Sequence, residues 1–153
     1  MTEAASELKS RISDATKVAM KARDKARVAT LRMVNSEIKR VEVDERRELS
    51  DDDVLTILNR MLKQRQDALT QFEQAGRNDL ADQERFEMAL IREFLPEPLA
   101  QAEIAALIEA AVAASGAASM KDMGKVMAEL RPRIHGRADM GAVSALVKAR
   151  LAG

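Results

Sequence analysis

The sequence predicts an all-α protein in which an N-terminal bundle of long helices is followed by a small C-terminal three-helix domain. Strong helix formers, chiefly Ala, Leu, Met, Glu, Lys and Arg, dominate the 153 residues. Apolar residues recur at intervals of three and four, as on one face of a helix, and no segment has the pattern of a strand. The three prolines and six glycines are the residues most suited to end helices and form turns. We therefore expect long helices joined by short turns.

The first 41 residues contain two apolar rows on different helical faces. The change of face predicts a break or bend near Arg23–Asp24–Lys25, where Asp24 is suited to cap a new helix. Two helices are expected, although one long bent helix also fits. The first row is Leu8, Ile12, Ala15, Ala19, Ala22, Ala26, Ala29 and Met33, and the second is Leu31, Val34, Ile38 and Val41.

Two further helices are predicted between residues 50 and 95. Ser50 is a favourable N-cap, and the three aspartates after it lie at the positive end of the helix dipole. Gly76 is a natural stop, and Asn78 is suited to cap the following helix. The inward rows are Val54, Leu58, Met61, Arg65, Ala68 and Phe72, then Leu80, Met88, Ile91 and Leu95.

The segment from Leu95 to Leu99 predicts a domain boundary, because Pro96 and Pro98 remove two amide donors and disfavour helix before them. The expected domains are residues 1–95, a bundle of long helices, and residues 96–153. The second domain has roughly 55 residues, near the lower limit for independent folding.

Three short helices are expected in the second domain. An alanine-rich helix covers residues 101–114 and ends near Gly116. Ser119 begins the next helix, with Asp122 in place of the usual Glu of a capping box, and Pro132 is expected to end it. Asp139 caps the last. The inward residues are Met123, Val126, Met127 and Leu130, then Val143, Leu146, Val147 and Leu151.

The sequence offers no catalytic residue, metal site or cofactor site. It has no cysteine, and its single histidine, His135, excludes a site with several His ligands. It lacks the glycine pattern of a nucleophile elbow and the GK[ST] ending of a phosphate-binding loop. No stretch approaches the roughly 18 apolar residues of a membrane span, and the N-terminus has no apolar signal region. A cytoplasmic protein without a membrane partner is expected.

Charge is distributed unevenly although the net charge is zero. Residues 8–40 contain ten basic and three acidic residues, a net charge of +7, whereas residues 41–58 have a net charge of −5. With no Trp or Tyr and only three Phe, the chain has few side chains for stacking on bases. Binding to RNA would therefore be directed at phosphates and shape.

Two groups of basic residues are candidate interfaces. Each also has a simpler explanation: the first as a solvated surface, the second as a partner for the acidic segment 41–58. The first, the candidate RNA-binding group, is Lys121, Lys125, Arg131, Arg133 and Arg137. The second, the secondary basic patch, is Lys17, Lys21, Arg23, Lys25, Arg27 and Arg32.

Three stretches, in their order and spacing, resemble the GatB/YqeY family over nearly the whole chain. They are MKARDKARVATLRMV at residues 20–34, the segment 62–99 with RNDLAD and a leucine-proline stop, and the segment 116–151 with KDMGKVM followed by GRAD. The resemblance implies an all-helical protein with an N-terminal helical domain and a C-terminal three-helix domain. Two positions depart from the family pattern: Ala100 replaces a capping Ser, and His135 replaces a Lys.

The resemblance also implies a link to tRNA. In this family the same domain is the C-terminal tail of the B subunit of the glutamyl/aspartyl-tRNA amidotransferase, where it contacts tRNA while the chemistry resides elsewhere. The matching activity label is a carbon–nitrogen ligase with glutamine as amido-N-donor. This chain resembles the tail alone, so an isolated chain is expected to show no such turnover.

The leading hypothesis is therefore a non-catalytic, tRNA-interacting protein associated with translation. The alternative is a protein–protein adaptor that docks through the helices of residues 8–95. A third hypothesis is that the chain is part of an amidotransferase. The sequence leaves open the RNA species, the protein partner and the oligomeric state.

Overall fold

A computed structural model describes residues 6–134 and 137–153. These ranges contain helices and turns but no strand, so the all-α prediction is confirmed. His135, which stands where the family pattern has a Lys, lies outside the described residues, as does Gly136. The helices are α1 (Glu7–Lys21), α2 (Lys25–Glu45), α3 (Asp51–Gln74), α4 (Asn78–Arg92), α5 (Gln101–Ser115), α6 (Met123–Ile134) and α7 (Met140–Ala152), with a 3₁₀ turn at Met120–Asp122.

The chain divides into two compact units, Met1–Leu95 and Pro96–Gly153. We call them the N-terminal unit and the C-terminal unit. The first contains α1 to α4, and the second contains the 3₁₀ turn and α5 to α7.

A tight turn separates α1 from α2, so two helices form and not one bent helix. Arg23 adopts the left-handed conformation, with φ 57°. Asp24 caps α2 as expected, because its carboxylate accepts a hydrogen bond from the backbone N–H of Arg27 at 3.2 Å.

The turn at Arg23 also corrects the first predicted row. Leu8, Ile12 and Ala19 are buried, but the continuation of their row across the turn is exposed, and Met33 is 39% exposed. The reason is that α2 begins with a new rotational phase after the turn. The second predicted row supplies the inward face of α2 instead: Leu31, Val34 and Ile38 are buried.

The start of α3 is capped as the sequence predicts. The Ser50 hydroxyl accepts a hydrogen bond from the N–H of Asp53 at 3.3 Å, and the Asp53 carboxylate accepts one from the N–H of Ser50 at 2.9 Å. Gly76, with φ 69°, follows the end of α3 in the left-handed conformation. The prediction for Asn78 is wrong, because Asn78 is the first residue of α4 and Arg77 precedes it without a side-chain cap.

The core of the N-terminal unit receives side chains from all four helices. Truncating such a residue to Ala typically costs about 2–5 kcal/mol. Its fully buried large side chains are Ile12, Leu31, Val34, Ile38, Val54, Ile57, Leu58 and Ile91.

The C-terminal unit has its own core between α5, α6 and α7, including Ile108, Val126 and Val147. Gly116, with φ 68°, ends α5. The Asp122 carboxylate accepts hydrogen bonds from the N–H groups of Ala118 and Ser119 at 2.9 and 3.3 Å. Asp139 caps α7 through the N–H of Ala142, also as predicted.

Two predictions in the C-terminal unit are wrong. Pro132 does not end α6, which continues to Ile134. A proline this close to the end of a helix removes one hydrogen bond, and Ile134 is fully buried, which anchors the last turn. Leu146 does not face inward but is 51% exposed, because Val143, Val147 and Leu151 form the buried row of α7.

No single helix in the described residues is both long and apolar enough to cross a membrane. One pair of segments in these residues is long and apolar enough when taken together, Gln101–Ser115 with Met120–Ile134. A bend of 94° separates these two segments.

Candidate nucleic-acid interface

The candidate RNA-binding group does not form one cluster. Because α6 continues through Pro132, Arg131 and Arg133 are both helical, and residues two apart project about 200° apart around a helix. Arg133 lies eight residues after Lys125, a little over two turns along α6 and about 80° around it, whereas Arg131 lies about 120° around it in the other direction. Both residues are exposed, as is Arg131 on the other side.

Arg137 has a structural role in the C-terminal unit. Its guanidinium Nε donates a hydrogen bond to the carbonyl of Glu97 at 3.1 Å, and its own carbonyl accepts one from the N–H of Leu99 at 2.9 Å. These bonds fix the start of the unit against the segment before α7. Arg137 therefore stabilises the fold and differs from the other four cations.

Lys121 lies just before α6 and Lys125 lies in its first turn, four residues apart and both exposed. Lys121 belongs to the 3₁₀ turn. The ammonium of Lys125 is 3.8 Å from the carboxylate of Asp122, a loose contact for a side chain that is mostly in solvent. Hydrogen bonds from the backbone of Ala118 and Ser119, and then the charge of Lys125, lower the pKa of Asp122.

We call Lys121, Lys125 and Arg133 the α6 flank. Among the described residues, Lys121 and Arg133 have no ion-pair partner. Glu129 is exposed and lies midway between Lys125 and Arg133, so one negative charge interrupts the row. Gly124 has open space where a side chain would stand, which leaves the backbone accessible beside Lys125.

The secondary basic patch lies on α1, α2 and the turn between them. Arg27 forms a two-bond ion pair with Glu93, with distances of 2.7 and 3.1 Å. This pairing raises the pKa of Arg27. The other five members are exposed and have no ion-pair partner among the described residues: Lys17, Lys21, Arg23, Lys25 and Arg32.

The acidic segment 41–58 does not neutralise that patch in the described part of the chain. Its carboxylates pair with other cations: Glu42 with Lys9, Asp44 with Arg40, and both Glu45 and Asp53 with Arg47. The intramolecular pairing expected from sequence is therefore not found, and five cations of the patch stay in solvent.

A buried polar network that was not predicted from the sequence links α3 and α4. Arg65 donates to the carboxylate of Glu87 at 2.9 Å, and the two side chains are only 13% and 12% exposed. Gln83 donates to the other oxygen of Glu87 at 3.1 Å. The sequence feature that could have indicated this network is Arg65, the charged residue in an otherwise apolar inward row of α3.

Glu84 adjoins this network but has a different environment. Burial, and then the nearby charge of Glu87, raises the pKa of Glu84. One of its oxygens is buried without a hydrogen-bond partner. The described residues contain no group of three or more His, Cys, Asp or Glu side chains placed to hold a metal ion. The geometry therefore points to a structural network.

Comparison with known proteins identifies the family. A family model described as Yqey-like protein matches residues 9–151, nearly the whole chain.

The chain belongs to this family.

The family resemblance inferred from sequence is thereby confirmed. One curated relative is the Uncharacterized protein C22F3.15 of Schizosaccharomyces pombe (strain 972 / ATCC 24843), which is 38% identical over 78 residues. The match covers 51% of this chain and 63% of the relative, so it spans less than two thirds of the relative's length. Because that relative is itself described as uncharacterized, the activity has to be argued from the residues.

Proposed function

We propose that this Yqey-like protein is a non-catalytic RNA-binding protein that contacts the phosphates of tRNA through the α6 flank. The observation that carries the proposal is the contrast between two sets of cations in the C-terminal unit. Arg137 and Arg150 are engaged, the latter with Glu109 at 2.5 and 3.2 Å. Lys121 and Arg133 have no ion-pair partner among the described residues, and Lys125 has only its 3.8 Å contact.

The competing explanation for Arg133 is local. Arg131 and Arg133 lie in the last turn of α6, where a positive charge interacts favourably with the helix dipole, typically by 0.3–1 kcal/mol. This effect accounts for a cation at the end of the helix but not for the exposed lysines at its start. Cations at both ends of one helix favour an extended anionic ligand.

The chemistry of the α6 flank suits a phosphate backbone better than bases. Lysine and arginine bind phosphate oxygens through long side chains, and such contacts position a nucleic acid without reading its sequence. The described part of α6 carries no aromatic side chain for stacking on bases. We therefore expect affinity to depend strongly on salt and weakly on the identity of the tRNA.

Filter binding or gel shift with tRNA at two salt concentrations tests the proposal. Changing Lys121, Lys125 and Arg133 together to Ala is expected to weaken binding at least about tenfold, because up to three phosphate contacts are lost. Arg137→Ala is a poor test, since its loss would disturb the fold. Arg131→Ala is the matched control on the other side of α6, with an expected loss of no more than about twofold.

A gain in affinity separates binding from unfolding. Glu129→Gln removes the negative charge between Lys125 and Arg133 and is expected to strengthen tRNA binding, most clearly at low salt. Circular dichroism of each variant checks that the fold is retained. The proposal would be wrong if tRNA binding were not sensitive to salt, or if the triple variant bound tRNA as tightly as the wild type.

A carbon–nitrogen ligase activity with glutamine as amido donor would, under this proposal, belong to a complete enzyme in which other subunits supply the chemistry. The sequence contains no recognisable nucleotide-binding loop. In such an enzyme this chain would contribute tRNA contacts.

A second candidate function is that of a protein–protein adaptor, and a specific observation favours it. The N-terminal unit exposes large apolar side chains on α1 and α2, including Val18 at 66% and Val43 at 62%. A phosphate backbone gains little from such side chains, whereas a protein partner would bury them.

A further inference from the structure

The outward face of α2 carries a regular row of exposed residues spaced alternately four and three apart. The row lies opposite the buried residues of the same helix and extends for roughly 27 Å at 1.5 Å per residue. We call it the α2 row: Lys25, Ala29, Arg32, Ser36, Lys39 and Val43.

Positions spaced alternately four and three apart share one face of a helix, which is the geometry through which a second helix can pack along it. Here the cations fall on every second position, seven residues or roughly 10.5 Å apart. Between them stand Ala29 and Ser36, whose small side chains allow a partner helix to approach the backbone closely. Lys39, which is not a member of the secondary basic patch, completes the row.

The charges of the α2 row have no partner in the described residues. Neither Lys25, Arg32 nor Lys39 takes part in an ion pair there. The carboxylates that border the row, Glu37 and Asp44, both accept hydrogen bonds from Arg40, from its Nε at 3.2 Å and from its Nη1 at 3.0 Å respectively. Three positive charges are thus left for a complementary ligand.

The C-terminal part of the row has features that favour protein over RNA. Val43 is 62% exposed, and a shallow open groove of about 480 Å³ follows the helix there, lined by Asn35, Ser36, Lys39, Arg40, Val43 and Asp44. An apolar side chain of a partner would cover Val43, which a phosphate cannot do. The bordering carboxylates Glu37 and Asp44 would also repel a polyanion.

We propose that the α2 row is a docking surface for an acidic amphipathic helix of a partner protein. Carboxylates of the partner spaced seven residues apart would face Lys25, Arg32 and Lys39, and small apolar residues between them would pack on Ala29, Ser36 and Val43. This inference rests on the adaptor candidate and is independent of RNA binding by α6. A second copy of the chain is a poorer occupant, because no helix in the described residues has acidic residues at three successive seven-residue positions.

The test uses the full-length protein and a designed peptide probe of about three heptads, long enough to be helical when bound. The peptide carries Glu at three positions seven residues apart and Ala or Leu in the intervening row, with a fluorescent label for anisotropy. A scrambled peptide with the same composition and charge is the first control. Binding of the ordered peptide at least about tenfold tighter than the scrambled one is expected.

Matched protein variants locate the binding surface. Lys25→Glu, Arg32→Glu and Lys39→Glu together are expected to weaken peptide binding at least about tenfold. The control changes three exposed cations elsewhere, Lys63→Glu, Arg92→Glu and Lys148→Glu, which alters net charge equally and should change affinity less than about twofold. Val43→Ser should weaken binding about threefold or more if an apolar contact is made.

Several outcomes would overturn the docking proposal. They are equal binding of the scrambled peptide, equal losses in the two triple variants, or tRNA binding that is lost with the α2 row but not with the α6 flank. Self-association that is abolished by the α2 variant in sedimentation velocity would also contradict it. If tRNA does not bind at all, the proposal of tRNA binding by the α6 flank fails. The peptide measurements still decide whether the α2 row is a docking surface.

Discussion

Asp53 shows how one side chain can serve both a helix start and a turn. Its carboxylate accepts hydrogen bonds from Ser50 and from the guanidinium of Arg47, whose two nitrogens lie at 2.7 and 3.1 Å. Arg47 first, and then the backbone of Ser50, holds the pKa of Asp53 well below its usual range. The charged form of Asp53 therefore stabilises the entry into α3.

This arrangement predicts a defined pH dependence of stability. A carboxylate whose pKa is lower in the folded state contributes stability above its unfolded pKa of about 3.9, and that contribution is lost as the pH falls through the folded pKa. Asp53→Asn should therefore destabilise the protein at pH 7 by about 1 kcal/mol, as is typical for loss of a helix cap. Thermal unfolding between pH 2 and 7 measures it, and the difference from wild type should shrink below about pH 4. A difference that stays constant over that range would contradict the assignment.

At the scale of helices, the ion pair between Arg65 and Glu87 ties α3 to α4 within the core. Both partners are largely buried, and Gln83 satisfies the second oxygen of Glu87. Removing one partner of such a pair leaves an uncompensated charge in a poorly solvated place. We therefore expect the pair to favour one arrangement of these two helices.

Arg65→Ala is expected to lower the free energy of unfolding by roughly 3–5 kcal/mol, because Glu87 loses its buried partner. Replacing both residues, Arg65→Met with Glu87→Leu, should recover most of that loss, since the buried charges are removed together. Denaturant unfolding of the two variants measures both effects. A double variant as unstable as Arg65→Ala would show that the pair acts through contacts other than its charges.

Local start and stop signals made the helices predictable from sequence, whereas the rotation of one helix relative to the next was only partly predictable. Asp24, Ser50, Gly76 and Asp139 act within one turn of the chain, so their effects follow from residue type and spacing. The second apolar row indicated the new inward face of α2, but the spacing of the first row did not show that its continuation to Met33 would be exposed beyond the turn at Arg23. The continuation of α6 past Pro132 likewise depends on the burial of Ile134 by other helices.

At the scale of the whole molecule, these local differences decide which cations share a surface. The sequence grouped Lys121, Lys125, Arg131, Arg133 and Arg137 by proximity along the chain. A helix through Pro132 places Arg131 and Arg133 on different sides, and tertiary contact with Glu97 occupies Arg137. The α2 row was only partly recognisable, because Lys39 lies outside the basic run and its exposure depends on how α2 packs.

The central claim is that the α6 flank binds the phosphates of tRNA, and the salt dependence of binding tests it most directly. The measurement is the slope of the logarithm of the association constant against the logarithm of salt concentration, for wild type and for the variant with Lys121, Lys125 and Arg133 changed to Ala. The slope is expected to be negative for the wild type and shallower by about 2–3 units in the variant, since each phosphate contact contributes roughly 0.7–0.9. Equal slopes for the two proteins, or no measurable tRNA binding at low salt, would contradict it.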